Sequence, residues 1–405
     1  MSHAQPTRRH LRLFLGGQSV SLLGDGLGLL AIPLLVLEVS RNPVVSALSA
    51  ASLTLGHLCV GLPAGVLVDR LDPWRVLMAM DAARTLLFAA LFAASATGTA
   101  TVGLILVIAV TAGACHVLFD TALVVVVKDL FAAPGLLRAN STIELARQAS
   151  LLVGPGVTAG LAALGGLRTA LLVDALTFGV SLLSLAAVRR RVPGPRRPAA
   201  WPRWRDMTRD VREGLRYLLS VRTLVILTVV QMVVNLCLAV EKLIYFYGRD
   251  TLGLSASAVS VVAASAGAGG IAGALSAAPL ARRTGQMRVI VAAVVACGTA
   301  VAAMSLATTL GTLMLATSAS AWAVVTASVV NRTQRQQIVP RALLGRVTST
   351  GRLLYLAVDP LGVLVTGGAT AALGGDPRPV FLTAGVVVAA TALAGWRAGL
   401  RDHPS

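Results

Sequence analysis

The sequence predicts an all-α membrane protein with twelve transmembrane helices arranged as two six-helix halves. Three observations predict this fold class. Of the 405 residues, 56% are hydrophobic and only 13% are charged, whereas about 25% of the residues of a soluble globular protein are charged. The mean hydropathy is +0.79. Apolar stretches of roughly 20 residues, the length that crosses the hydrocarbon core of a bilayer, recur along the whole chain.

Twelve spans account for nearly the whole sequence. Dividing the 405 residues by twelve leaves about 34 residues for each span and its loop, so no soluble domain fits between the spans. The predicted spans are 11–39, 44–68, 76–97, 101–127, 141–164, 168–188, 222–247, 256–280, 289–308, 310–330, 346–373 and 379–397.

The basic residues orient these spans. Lys and Arg outnumber Asp and Glu by 35 to 17, which gives a net charge of +18. If both termini are cytoplasmic, 27 basic residues lie in inner segments, four lie outside and four fall within spans. Cytoplasmic loops are rich in Lys and Arg, so this distribution favours that orientation in the plasma (inner) membrane. It also explains most of the charge without a nucleic-acid partner.

The sequence gives little support for a metal site, a disulfide bond or an enzyme active site. The four cysteines (Cys59, Cys115, Cys237 and Cys297) lie in apolar stretches without the spacing of metal ligands. Neither a phosphate-binding GxxxxGK[ST] loop nor an HExxH motif occurs. We therefore expect no cofactor and no enzyme activity, and we expect a monomer.

The longest loop, 189–221, separates an N-terminal half (1–188) from a C-terminal half (222–405). It begins with arginine, proline and glycine in a density that prevents a helix. Its second part, 205–219, places apolar side chains on one face and arginines on the other. An amphipathic helix on the inner leaflet is one interpretation, and a solvated basic linker is the other.

The two halves repeat each other at corresponding places. Arg70 and Arg75 follow span 2 with the same spacing as Arg283 and Arg288 after span 8. A second match joins 134–166 to 340–375, and both segments end in Ala-Ala-Leu-Gly-Gly. Duplicated six-span halves predict a substrate site between them near the bilayer midplane, opened alternately to each side.

Two motifs resemble those of a known family. The segment Gly65-x-x-x-Asp69-Arg70 is similar to the signature loop between spans 2 and 3 of major facilitator superfamily transporters, although Asp72, Pro73 and Trp74 stand where that loop continues with glycine and a basic pair. The segment Gly154-Pro155-Gly156-x-x-x-Gly160 resembles the span-5 motif of the superfamily's exporters. With Gln18-x-x-Ser21-x-x-Gly24-Asp25 and the loop 331–346, the chain resembles the bacterial drug, macrolide and siderophore exporters.

The resemblance implies a conformational latch at the signature loop. Asp69 can accept hydrogen bonds from the N-terminal backbone of a facing helix, and Arg70 and Arg75 can pair with Asp81 and Glu144. These charges could instead serve only to orient the protein in the membrane.

Other residues are candidates for gates. Asp81 with Arg84, and Glu144 with Arg147, have the i,i+3 spacing of ion pairs at a cytoplasmic gate. Gly154, Pro155 and Gly160 bend a helix or let one approach closely. The remaining candidates, at an outer gate or within span 11, are Glu241, Lys242 and Arg352.

Ionisable residues within spans are the strongest functional signal, because each costs free energy unless it is paired or wetted. Asp25, with no cation nearby on its own helix, is the first candidate for a carboxylate that couples transport to protons. Asp120 with His116 is the second, and Asp359, beside Arg352, is the third. Each could instead be a structural, hydrogen-bonded acid. The candidates for the substrate cavity are Gln18, Ser21, Gln231, Asn235, Trp322 and Tyr355.

These features favour a secondary transporter that exports amphipathic small molecules, with protons as the coupling ion. The alternative on the same fold is an importer or facilitator of a nutrient or metabolite, for which the sequence provides few hydrogen-bonding groups.

Overall fold

A computed structural model describes residues 7–41, 49, 60–61, 63–191 and 204–401. The described residues form helices and no strand. Eleven of these helices are long and apolar enough to cross a membrane, and they correspond to eleven of the twelve predicted spans. Most of the predicted second span, 44–68, lies outside the described residues.

The first six helices belong to the N-terminal half. They are α1 Arg8–Ser40, α2 63–70, α3 Pro73–Ala96, α4 Val102–Leu130, α5 Ala133–Gly165 and α6 Leu167–Arg191. The ends of α3 and α4 follow local chemistry, because Asp72 caps α3 through the Trp74 amide and Thr101 caps α4 through the Leu104 amide.

The remaining helices follow the linker. They are α7 Trp204–Ser220, α8 Arg222–Leu238, α9 Ala256–Thr284, α10 Gln286–Met304, α11 Leu310–Ile338, α12 Leu344–Ala357, α13 Asp359–Ala372 and α14 Arg378–Gly395.

The chain divides into two compact units. The first contains residues 1–215 and 339–350, and the second contains 216–338 and 351–405. In the first unit α1 packs against α5 and α6, and α3 packs against α4 and α6. In the second unit α11 packs against α9 and α10, and α10 packs against α14.

Both units expose large apolar side chains on their helices. Leu164 and Leu183 of the first unit are 86% and 71% exposed, and Leu315 and Leu364 of the second are 71% and 72% exposed. Such surfaces are unusual in a soluble protein, and a lipid environment accounts for them.

Two predicted spans are not continuous helices. After α8 the chain continues through a 3₁₀ turn, Ala239–Leu243, and a π-helical turn, Tyr247–Thr251. The predicted span 346–373 is divided into α12 and α13 at Val358, because Pro360 cannot continue the hydrogen bonds of the preceding helix. Hydropathy reports the length of an apolar stretch and does not detect such breaks.

The helix α7 occupies the segment where an amphipathic helix was one of two interpretations. Its inward face carries Asp210, Gly214 and Leu218, of which Asp210 is 5% and Leu218 1% exposed. A Cβ atom on Gly214 would lie 2.8 Å from the Arg346 Cβ atom. This face is therefore packed against protein, where the amphipathic interpretation expected lipid.

Candidate functional site

A cavity of about 340 Å³ lies in the first unit among α1, α3, α4, α5 and α6. Its walls are largely apolar and include Phe88 and Phe178. Five ionisable side chains also line it: Asp25, Arg84, His116, Arg147 and Asp174. Each comes from a different helix, so the fold assembles a charged cluster that no single helix face contains.

Arg84 is the centre of this cluster and is almost fully buried. Its Nη1 atom donates to Asp25 Oδ1 at 3.2 Å and its Nη2 atom to Asp81 Oδ1 at 2.5 Å. The guanidinium also stacks on the rings of Phe119 and Phe178, 4.4 and 4.2 Å from their centroids. Two carboxylates and two aromatic faces therefore hold one cation in a fixed orientation.

His116 links two carboxylates on different helices. Its Nδ1 atom lies 3.5 Å from Asp25 Oδ2, and its Nε2 atom lies 3.4 Å from Asp120 Oδ2. Asp120 in turn accepts a hydrogen bond of 3.1 Å from Arg147, whose Nε atom is 4.0 Å from Glu144. A continuous chain of polar contacts thus joins α1, α4 and α5 beside the cavity.

These contacts refine the sequence analysis. The local pairs Asp81–Arg84 and Glu144–Arg147 have the expected partners, but each arginine also reaches a carboxylate on another helix. Asp25, expected to lack a cation on its own helix, is paired with Arg84 of α3. The sequence could not predict this pair because helix rotation is set by packing.

The other predicted cavity residues of the first unit lie away from the cavity. Gln18 is fully buried and donates to Ser181 Oγ of α6 at 3.1 Å. Ser21 is 1% exposed. Ser21 Oγ and Gln18 Oε1 have no hydrogen-bond partner among the described residues.

In the second unit three predicted cavity residues are hydrogen-bonded, Gln231 and Trp322 to a neighbouring helix and Asn235 within α8. Asn331 donates to Gln231 Oε1 at 2.9 Å, and Asn235 donates to the Gln231 carbonyl at 2.8 Å. Trp322 donates to Ser276 Oγ at 2.9 Å, and Tyr355 is half-buried on α12. Gln231 and Asn331 border a void of about 20 Å³, which is too small for an organic ligand.

The broken helix after α8 carries two candidate residues. Glu241 accepts a hydrogen bond of 2.6 Å from Ser320 of α11, and Lys242 pairs with Asp359 of α13 at 2.6 Å. The cation next to Asp359 is therefore Lys242, while Arg352 is half-buried on α12. Glu241 and Lys242 also border a second cavity of about 380 Å³.

The signature loop has the geometry that the sequence predicted for Asp69. Its two carboxylate oxygens accept hydrogen bonds of 2.9 and 3.0 Å from the backbone amides of Gly345 and Arg346, in the first turn of α12. Gly65 allows this approach, because a Cβ atom there would lie 2.5 Å from the Gly345 carbonyl oxygen. The segment 339–350 is thereby fastened to the first unit.

The arginines of this loop have different partners from those expected. Arg70 donates to Asp210 of α7 at 2.6 Å, and Arg75 lies 4.0 Å from Asp72. Asp210 is not a predicted site residue, because the sequence alone places segment 205–219 on the protein surface.

The glycines around Pro155 are not equivalent. A Cβ atom on Gly154 would lie 2.7 Å from the Gly26 carbonyl oxygen, so α5 and α1 are in backbone contact there. A Cβ atom on Gly160 would have no neighbouring atom within 4 Å among the described residues. The expected close helix approach is therefore found at Gly154 and not at Gly160.

Asp174 of α6 is a residue of this site that was not predicted from the sequence. It is 1% exposed and borders the cavity. The available signal was a single carboxylate in the apolar run 170–178, a pattern that by itself marks an intramembrane site.

The family follows from the whole sequence. The model of the Major Facilitator Superfamily matches residues 14–355. The chain belongs to this superfamily. Transporters of this superfamily sit in the lipid bilayer, handle small molecules and are not enzymes.

Named relatives match most of the chain at modest identity. The "Multidrug efflux pump Tap" of Mycobacterium tuberculosis (strain ATCC 25618 / H37Rv) is 28% identical over 374 residues, which cover 89% of this chain and 87% of the pump. The protein of the same name from Mycolicibacterium fortuitum is 28% identical over 365 residues and 85% of each chain.

Solved structures confirm the fold. A bacterial homologue of the iron transporter ferroportin in the outward-facing state has a TM-score of 0.74 at 15% identity, covering 96% of this chain and 98% of that one. The E. coli fucose:proton symporter has a TM-score of 0.72 at 13% identity, covering 98% and 100%.

Proposed function

We propose that the protein is a secondary active exporter of amphipathic small molecules, in the plasma membrane, that exchanges its substrate for protons by alternating access. The observation that carries this proposal is the position of His116 between Asp25 and Asp120, beside a largely apolar cavity.

The chemistry of His116 supports a proton as the coupling ion. A neutral imidazole has one N–H donor, whereas an imidazolium has two, and an ionised carboxylate can only accept. Both contacts of His116 are hydrogen bonds to carboxylates only when the ring carries two protons. Binding or release of one proton therefore makes or breaks a link between α1 and α4.

The cavity supports an amphipathic substrate. Phe88, Phe178 and the aliphatic walls favour an apolar body, and the ionisable groups provide a small number of polar anchors. A volume of about 340 Å³ lies in the range of small-molecule sites. The names of the relatives, multidrug efflux pumps at 28% identity, favour export over import.

The hydrogen bonds of Asp69 support a conformational latch. An anion at a helix N-terminus is held by the backbone amides and by the helix dipole. We propose that the contact between Asp69 and the start of α12 closes the cytoplasmic side in one state of the transport cycle and opens in the other. The basic residues of the predicted inner loops favour the orientation with both termini inside the cell.

Everted membrane vesicles from an overexpressing strain test the antiport. With the interior made acidic, we expect accumulation of ethidium, an amphipathic cation, or of chloramphenicol, an uncharged amphipathic probe. The glutamine of His116→Gln is a neutral amide that cannot take up a proton, so gradient-driven accumulation by this variant should fall to the level measured without a gradient.

The matched control is His10→Gln, since His10 contacts Thr7 at the start of α1, far along the chain from the cluster. Its accumulation should equal that of the wild type. The proposal fails if the pH gradient drives no accumulation beyond that of vesicles without the protein, or if His116→Gln responds to the gradient as the wild type does.

A further inference from the structure

Asp174 has a position that none of the contacts described above explains. It lies in the apolar run 170–178 of α6 and is 1% exposed. Neither Oδ1 nor Oδ2 has a hydrogen-bond partner among the residues that the structure describes. The nearby Thr177 hydroxyl donates instead to the backbone carbonyl of Asp174, at 2.7 Å.

The carboxyl group lies on a glycine face of α1. A Cβ atom on Gly24 would be 2.6 Å from Asp174 Oδ1, and a Cβ atom on Gly28 would be 3.1 Å from Oδ2. The two glycines are one helical turn apart, so they lie on the same side of α1. Their missing side chains leave the space that the carboxyl group occupies, next to the cavity.

The charged groups around the cavity are already engaged. Arg84 of α3 is bound to Asp25 and Asp81 and lies between two phenyl rings. Arg147 of α5 is bound to Asp120. His116 of α4 faces Asp25 and Asp120, and Asp25 of α1 is itself an anion.

A buried carboxylate without a donor is costly. Burial of an ionised group with no partner is strongly unfavourable, and a neutral acid avoids most of this cost. Arg84 attracts a charge on Asp174 only partly, because its guanidinium is already bound to Asp25 and Asp81, and the nearby Asp25 carboxylate repels such a charge. Burial without a hydrogen-bond donor therefore favours the neutral, protonated form of Asp174 in this conformation.

We propose that Asp174 is a second site for an exchanged proton, in addition to His116, and the site at which proton and substrate compete. While the glycine face of α1 covers it, the carboxyl group keeps its proton. When water or a cationic substrate enters the cavity beside it, the O–H bond breaks, the proton passes to cavity water as hydronium, and the carboxylate is stabilised by that water or by the substrate. The carboxyl group of Asp174 then holds either its proton or the cationic substrate, but not both. This inference rests on the proposed antiport.

Infrared difference spectroscopy tests the protonation directly. The purified wild-type protein in liposomes is shifted between acidic and alkaline buffer, with and without ethidium. We expect the C=O stretch of a protonated carboxylic acid, which disappears when ethidium is added and is absent from Asp174→Asn. A spectrum in which Asp174→Asn retains the ethidium-sensitive band overturns the inference, whether or not transport is proton-driven.

Transport by the same liposomes separates this inference from the proposed function. Asp174→Asn, which is permanently uncharged, should lose ethidium accumulation driven by a pH gradient but retain exchange of labelled for unlabelled ethidium without a gradient. Ser184→Ala should retain both activities, because it removes another buried hydroxyl of α6, one that donates to the Ser181 backbone carbonyl of its own helix at 2.8 Å.

The outcomes differ for the two claims. If the wild type does not respond to the gradient, the antiport is wrong and the infrared band alone decides the state of Asp174. If the wild type responds and Asp174→Asn responds equally, Asp174 does not carry the proton although the antiport stands. Should Asp174→Asn fail to fold, Asp174→Glu provides the test. Its carboxylic acid band should shift in frequency relative to the wild type and remain sensitive to ethidium. A band at the wild-type frequency overturns the inference.

Discussion

The contact of Asp69 with the start of α12 leads to a quantitative prediction for Asp69→Asn. The wild-type carboxylate accepts two backbone hydrogen bonds, at 2.9 and 3.0 Å, and its side chain is 1% exposed. An asparagine has one acceptor oxygen, and its NH₂ group would face the second backbone N–H. The substitution therefore removes one hydrogen bond to a charged group and the interaction of that charge with the helix N-terminus.

The magnitude follows from these two losses. A hydrogen bond to a charged group contributes about 1.5–3 kcal/mol, and a charge at a helix end contributes about 0.3–1 kcal/mol. We expect the docked state of segment 339–350 to lose about 2–4 kcal/mol, which at tenfold for each 1.4 kcal/mol is an increase of about 30- to 700-fold in the population of the undocked state.

Cysteine labelling measures this population. Ser349 is 4% exposed, and its Oγ atom would lie 2.1 Å from a Cβ atom on Gly65. In a background without the native cysteines, Ser349→Cys should react with a maleimide only when the segment undocks. Because labelling is slower than redocking, its rate should rise in proportion to the undocked population.

The control is Asp376→Asn in the same background. Asp376 accepts a local hydrogen bond from the Arg378 amide and is exposed, so its substitution should leave the labelling rate unchanged. If Asp69→Asn raises the maleimide labelling rate by less than about threefold, which corresponds to roughly 0.6 kcal/mol, these hydrogen bonds do not hold the latch.

Three further predictions concern stability, measured as the unfolding transition of the purified protein in mixed micelles. Gly154→Ala should cost about 1–3 kcal/mol because its Cβ atom would meet the backbone of α1, whereas Gly160→Ala should be neutral or stabilise by about 0.5–1 kcal/mol; equal effects would contradict the packing described. Arg84→Gln should cost about 3–5 kcal/mol because it leaves two buried carboxylates without their cation, and the exposed control Arg75→Gln should change little. Lys242→Gln should cost less than about 1 kcal/mol, since both members of its ion pair are more than a third exposed, and a larger loss would show that this pair is more than a surface contact.

Much of the fold is encoded locally and was predictable from the sequence. An apolar stretch of membrane-spanning length is a property of neighbouring residues, and eleven such helices are found where the sequence predicts spans. Asp69 was also predictable, because an acid next to a helix N-terminus satisfies a chemical need that exists wherever a helix begins.

The candidate site was only partly predictable, because its contacts join distant positions. The pair of Asp25 and Arg84 depends on how α1 and α3 are rotated about their axes, and hydropathy contains no such information. Asp174 was missed for a related reason. Its face of α6 carries only hydroxyl side chains beside it, Thr177 and Ser181, so its importance becomes visible only when the glycine face of α1 lies against it.

The environment of Arg84 also explains why basic residues in this chain are not all alike. Only two of the 35 basic residues are lysines, so most arginines here could be attributed to nucleotide composition, and a lysine in a loop would orient the chain equally well. At position 84 the exchange would fail. A lysine ammonium cannot lie flat between two phenyl rings while donating to two carboxylates in different directions. Random substitution libraries should therefore recover lysine freely at the loop arginines and reject it at Arg84.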